Sequence, residues 1–214
     1  VTGREPISVR TRFERFPATV KGAFIIRGED PDPHQVTLRG SRIVSVDGRT
    51  TRPLSMGAGT LDVAPHRDVF VPFEVAVSDL DPGWYGFSCD VDVDGVPVSY
   101  PGDRRFLVAW PRAKVRRGRI DVARELRLGP ATVRIEQLEC GGDSTKLHLS
   151  VDPPTRIAVK LRADEDRLEV LGLETDETSG RVKVTAYPLL RSHGSLTIGL
   201  KGRGVSASAT VSLP

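Results

Sequence analysis

The run Tyr85-Gly86-Phe87-Ser88-Cys89-Asp90-Val91-Asp92-Val93-Asp94-Gly95-Val96-Pro97-Val98 decides the fold class. Tyr85, Phe87, Cys89, Val91 and Val93 alternate with Gly86, Ser88, Asp90, Asp92 and Asp94. Alternation sends successive side chains to opposite faces of a strand, so one face here is apolar and the other wet. A helix would scatter both sets around its axis. Asp94-Gly95 then separates this strand from Val96-Pro97-Val98. Asp-Gly is a strong two-residue hairpin signal, because both central residues must take positive φ. Pro97 has no N–H to give to a ladder, which puts the return strand near a sheet edge.

Working outward, the same pattern predicts strands over 6–13, 18–27, 34–46, 68–77 and 104–110. Beyond these it predicts strands over 119–123, 131–139, 145–151, 155–162, 167–173, 181–187, 195–200 and 205–213. No segment sustains a helical period, and Val122–Leu128 would make two helical turns at most. About seven short strands per hundred residues, with turn signals between them, predict β-sandwiches.

The 214 residues suffice for one large β domain or two small ones. Slid against itself by 113 residues, the chain sets Pro17-Ala18-Thr19-Val20-Lys21 on Pro130-Ala131-Thr132-Val133-Arg134. Late in each half, Gly83–Cys89 has the rhythm of Gly194–Leu200 at an offset of 111. A tandem duplication is the expectation. It gives domains over 1–112 and 119–214, joined by a basic linker at 113–118.

Asp81-Pro82-Gly83-Trp84-Tyr85 resembles the D-x-G-x-Y approach to strand F of immunoglobulin-like domains. The resemblance implies an all-β chain of two tandem immunoglobulin-like antiparallel β-sandwich domains. It also implies that the Tyr85 hydroxyl bonds back to the backbone at a corner. Phe87 stands where the second disulfide cysteine would, so that disulfide is absent, and Leu196 replaces the tyrosine in the second half. Such sandwiches host many functions, so architecture alone is implied.

Composition narrows the function classes. Hydrophobic residues at 38% and charged ones at 28% belong to a folded protein rather than a disordered tail. The net charge of +3 is unevenly placed. Residues 1–111 carry 13 Lys and Arg against 15 Asp and Glu, and residues 120–214 carry 13 against 13. The excess therefore sits in Arg112, Lys114, Arg116, Arg117 and Arg119. A nucleic-acid surface would spread its cations over a face with aromatics among them, so nucleic acid is not the expected partner. This basic run is a solvated junction, a site for an acidic partner, or a partner for the Asp90–Asp94 hairpin. No apolar run is long enough to span a bilayer, and Val1-Thr2-Gly3-Arg4-Glu5 lacks the apolar core of a signal peptide. The expected compartment is the cytoplasm, or outside it if a leader was removed before Val1.

Asp90-x-Asp92-x-Asp94-Gly95 opens like a calcium loop. The closing glutamate is missing, because Pro101 holds the twelfth position, and acids on the wet face of a hairpin explain the pattern better. Three aspartates on one face repel each other, so a cationic partner is expected. The four histidines lack metal-ligand spacing, no G-x-S-x-G elbow exists, and no cofactor is expected. Glycines in Gly199-Leu200-Lys201-Gly202-Arg203-Gly204 fit a hairpin turn. Eleven of twelve aromatic residues lie in residues 1–110, which predicts an aromatic first core and an aliphatic second one. Trp84, Tyr100 and Trp110 are either core residues or a platform for sugars or a protein. The expected function is a non-enzymatic module that recognises another protein through strand edges or loops. Carbohydrate or small-ligand binding through the first-domain aromatics is the alternative.

Overall fold

Seventeen strands and no helix form the regular structure of the described residues. These are residues 5–56, 59–202 and 204–214 in a computed structural model. The N-terminal tetrapeptide and Arg203 of the glycine-rich turn lie outside the described residues. The chain divides into two compact units, the first ending at Val108 and the second beginning at Ala109.

In the first unit the strands are β1 (Ile7–Arg15), β2 (Thr19–Gly28), β3 (His34–Ser45) and β4 (Thr51–Pro53). After them come β5 (Thr60–Val63), β6 (Asp68–Ala76), β7 (Gly83–Val93) and β8 (Val96–Val108). One sheet has the order β1-β2-β6 and the other β4-β3-β7-β8, with β5 paired to the start of β3. The chain changes sheets between β2 and β3, between β5 and β6, and again between β6 and β7. That is the immunoglobulin-like arrangement, with β7 in the place of strand F. Asp94 and Gly95 take φ values of 50° and 87° and close the tight turn between β7 and β8. Pro97 lies in β8, at the edge of its sheet.

The alternation of β7 delivers Tyr85, Phe87, Cys89, Val91 and Val93 to the core. Phe87 is the hub of an aromatic cluster, with Phe13, Phe24, Phe73 and Phe106 centred 5.0–6.3 Å from its ring. Gly22 sits on the inner side of β2 because rings fill its space. A Cβ there would lie 2.8 Å from Phe73 and 2.3 Å from the Arg12 carbonyl oxygen.

In the second unit the strands are β9 (Gly118–Leu128), β10 (Ala131–Cys140), β11 (Thr145–Asp152), β12 (Ala158–Ala163) and β13 (Asp166–Leu168). They continue as β14 (Val170–Thr175), β15 (Arg181–Ala186), β16 (Ser195–Gly202) and β17 (Val205–Ser212). The sheets are β14-β15-β11-β10-β9 and β13-β12-β16-β17. The core is Leu, Val, Ile and Ala with Cys140, and Tyr187 lies at its margin.

Several expectations change here. The strand expected over 119–123 runs on to Leu128: a bulge at Val122-Ala123, with Ala123 at φ 45°, shifts the register and breaks the period. The duplication register is off by one strand. In the first unit β2 pairs with β6 and leads across to the other sheet, and in the second β11 pairs with β15 and does the same. The counterpart of β2 is thus β11, whereas the Pro-Ala-Thr-Val match sets it on β10. β9 is an additional edge strand. The later match is in register, since β7 and β16 each lie between the strands that hold equivalent places, β3 and β8 or β12 and β17.

The stretch 113–118 is also not a free linker. Val115 is fully buried and bridges Leu190. The Arg116 N–H donates to the Leu189 carbonyl at 2.8 Å, and its guanidinium to the carbonyls of His193 and Pro214. Carbonyl oxygens left over at these strand ends are what hold the segment on the second unit.

Candidate interaction face

Tyr85 is 1% exposed, and its hydroxyl donates to the Asp81 carbonyl at 2.9 Å. The corner implied by the immunoglobulin resemblance is therefore present, and Tyr85 is structural.

The three aspartates each meet a cation of the first unit. Arg42 donates to Asp90 at 2.5 Å, and the Ser99 hydroxyl binds the other oxygen of that carboxylate. Arg39 grips Oδ2 of the buried Asp92 through Nε at 2.9 Å and also through Nη2. Asp94 lies 2.6 Å from Nδ1 of His34, whose Nε2 lies 2.7 Å from Asp30. Carboxylates only accept, so the doubly protonated ring satisfies both bonds. The bond to Asp94, then that to Asp30, holds the His34 pKa above its usual 6.5. Contact with His34 in turn keeps Asp30 and Asp94 below the usual carboxylate range. The geometry is an ion-pair ladder, in which the carboxylates turn toward separate cations instead of converging as in a calcium loop. Among the described residues, no cluster of three or more His, Cys, Asp or Glu is arranged to hold a metal ion.

The expected aromatic platform is dispersed. Tyr100 is 8% exposed in the first core, with its hydroxyl 3.4 Å from the Ile7 carbonyl. Trp84 is half-buried on the outer side of β7, opposite Leu107. Trp110 belongs to the second unit and packs edge-on against Tyr187 at 5.1 Å. The basic run is partly spent. Arg116 holds strand-end carbonyls and Arg119 pairs with Glu139 at 3.2 Å, while Arg112, Lys114 and Arg117 are exposed. Cys89 and Cys140 are free and buried, and burial pushes the Cys89 thiol up to about 11. Thiols so placed are poor nucleophiles.

A different surface stands out, which the sequence expectations omit. On the β1-β2-β6 sheet the inward side chains are Ile7, Thr11, Val20, Phe24, Ile26, Val71, Phe73 and Val75. The opposite parity faces solvent. Register sets Arg10, Ile25 and Phe70 in one cross-strand row and Arg12, Ala23 and Pro72 in the next. Phe70 is 58% exposed on β6, the outer strand of this sheet, beside Ile25 of the middle strand. Ion pairs fence the patch at both ends, Arg27–Asp68 at 3.2 Å and Lys21–Glu74 at 3.1 Å. Arg10 and Arg12 have no ion-pair partner among the described residues.

The strand edges of this sheet are less available than its face. β8 lies alongside β1, where Asp103 accepts the Thr11 N–H at 2.9 Å. Ser55 bridges Glu74 of β6, and Arg52 donates to the Ala76 carbonyl at 3.0 Å. Pro72 removes a further donor from β6. The parity of Asp68–Ala76 was the available signal: Val69, Val71, Phe73 and Val75 point in, which leaves Phe70 outside.

No protein-family model matches the sequence, and no curated protein matches it. Among solved structures, a conserved domain protein from Bacillus anthracis is 10% identical over 99% of this chain and 89% of its own, with a TM-score of 0.37. A marsupial T cell receptor is 12% identical over 99% and 98%, with a TM-score of 0.30. Titin domains I67–I69 are 14% identical over 99% and 66%, with a TM-score of 0.26. The immunoglobulin-like assignment rests on the strand order and the tyrosine corner.

Proposed function

We propose that this chain is a non-enzymatic protein-interaction module and that the outer face of β1-β2-β6 is where it meets another protein. The observation that carries this is Phe70, a large aromatic left 58% exposed beside Ile25, Ala23 and Pro72 on the outer side of the sheet. Exposed apolar centres rimmed by charged pairs are typical of protein contact surfaces. Aromatic anchors in such patches supply much of the binding energy. The surface is a face, not an edge or a loop, since neighbouring segments already engage the edges of this sheet.

The test compares the unmodified protein with Phe70→Asp. Proteins captured from the native lysate are identified and purified, and each is titrated against both forms. The expected result is a partner whose Kd rises at least about tenfold with Phe70→Asp, at unchanged melting temperature. Equal binding of every purified partner to both forms would overturn the proposal.

A further inference from the structure

We infer that the partner meets this face with an extended acidic segment, carboxylates at two alternate positions, and an apolar side chain on an adjoining strand. The inference rests on the reading of the face as a docking site and adds the chemistry of its occupant.

Four cations line the face or its rim: Arg10, Arg12, Lys21 and Arg27. Lys21 and Arg27 are neutralised by Glu74 and Asp68. Arg10 and Arg12 are exposed, with no ion pair among the described residues. They stand two residues apart on β1, hence about 6.7 Å apart along the strand. Carboxylates at alternate positions of an extended chain have that same spacing. Each guanidinium can take one carboxylate in the paired geometry that lysine cannot provide.

Phe70 lies two strands away from Arg10, about 10 Å across the sheet, with Ile25 between them. A partner that satisfies the arginines therefore brings its apolar group from a neighbouring strand. The same layout disfavours a nucleic acid. Asp68, Glu74 and Glu14 rim the patch, and residues 1–111 carry more acid than base. A continuous phosphate backbone would meet these acids, whereas two local carboxylates need not.

The probe is a synthetic β-hairpin peptide with Glu-Thr-Glu on one strand and Leu-Thr-Val on the other, alongside versions carrying Gln or Lys for Glu. Binding is read by fluorescence anisotropy. The expected result is that the Glu hairpin binds the unmodified protein. Its Kd should rise about tenfold with Arg10→Glu/Arg12→Glu and at least severalfold between about 20 and 200 mM salt. The Lys hairpin should bind that double variant and not the unmodified protein. Arg10→Gln/Arg12→Gln should also weaken the Glu hairpin, and its melting temperature serves as a folding control.

If all three hairpins bind alike and lose binding with Phe70→Asp, the acidic partner is wrong and the docking face stands. If heparin binds and the Glu hairpin does not, the partner is a polyanion of another class and the inference fails. If nothing binds, both the inference and the docking face fall.

Discussion

Two sheets hold equivalent places in the two units and treat water differently. On the outer side of β10-β11-β15-β14 charges answer one another. Lys183 meets Glu174 at 3.0 Å. Arg134 of β10 also reaches Glu125 of the added strand β9 at 2.6 Å. On the outer side of β1-β2-β6 stand Ile25 on the middle strand and the exposed Phe70 beside it on β6, and two arginines lack ion-pair partners among the described residues. Exposed ion pairs contribute little to stability, but they keep a face wet and free of adhesion. The same topology thus carries one face of answered charges and one with an exposed aromatic and unpaired arginines, and the proposed contact lies on the second.

The cores differ as well, and the largest predicted effect comes from there. Phe87→Ala removes the hub of the aromatic cluster and should cost about 3–5 kcal/mol on denaturant titration. Ile198 holds the equivalent position on β16, and Ile198→Ala should cost less, at the lower end of about 2–5 kcal/mol. Equal losses would break the distinction between the cores. A smaller effect tests the corner. Tyr85→Phe removes the bond to Asp81 and should cost about 1 kcal/mol, whereas Leu196 in the second unit has no such bond to lose.

The His34 clamp belongs to the first unit alone. A folded pKa above the unfolded value contributes stability that is full below about pH 6.5 and fades as pH rises through the folded value. Asp30 and Asp94 shift the other way, so their contribution is present above about pH 4 and is lost as pH falls through their depressed values. Stability should therefore decline as pH rises from about 6.5 through the raised His34 value, and His34→Gln should flatten that decline. An unchanged slope in His34→Gln would mean that another group sets it. The smallest effect is expected at the face itself. Phe70→Thr should change stability by no more than about 0.5 kcal/mol, because the side chain it removes packs little. A loss above about 2 kcal/mol would make Phe70 a core residue and remove the contrast between the two faces.

Much of the fold was legible in sequence, for local reasons. The alternation from Tyr85 to Val93 and the Asp94-Gly95 turn fix a hairpin without reference to anything distant. The Asp81–Tyr85 approach marks the corner by a bond spanning four residues. What failed depends on distant partners. Val115 looks like an isolated apolar residue in a charged run until Leu190 is placed beside it, and Arg116 until the carbonyls of His193 and Pro214 are. The repeat match went astray because β9, an added strand, moved a similar string one place along the sheet. The short strands β4 and β5 are too brief to show a period. Phe70 differs from these: its outward parity was readable in Asp68–Ala76, but an aromatic residue among valines reads as core until parity is applied to each position.

The contrast between the two faces is tested most directly by photo-crosslinking in the native lysate. A benzoylphenylalanine is placed in turn at position 70 on β6 and at position 181 on β15, the strand that stands where β6 does. The predicted result is a defined protein adduct from position 70, lost when Arg10→Glu/Arg12→Glu is added, and none from position 181. The same adducts from both positions, or an adduct from position 181 alone, would contradict it.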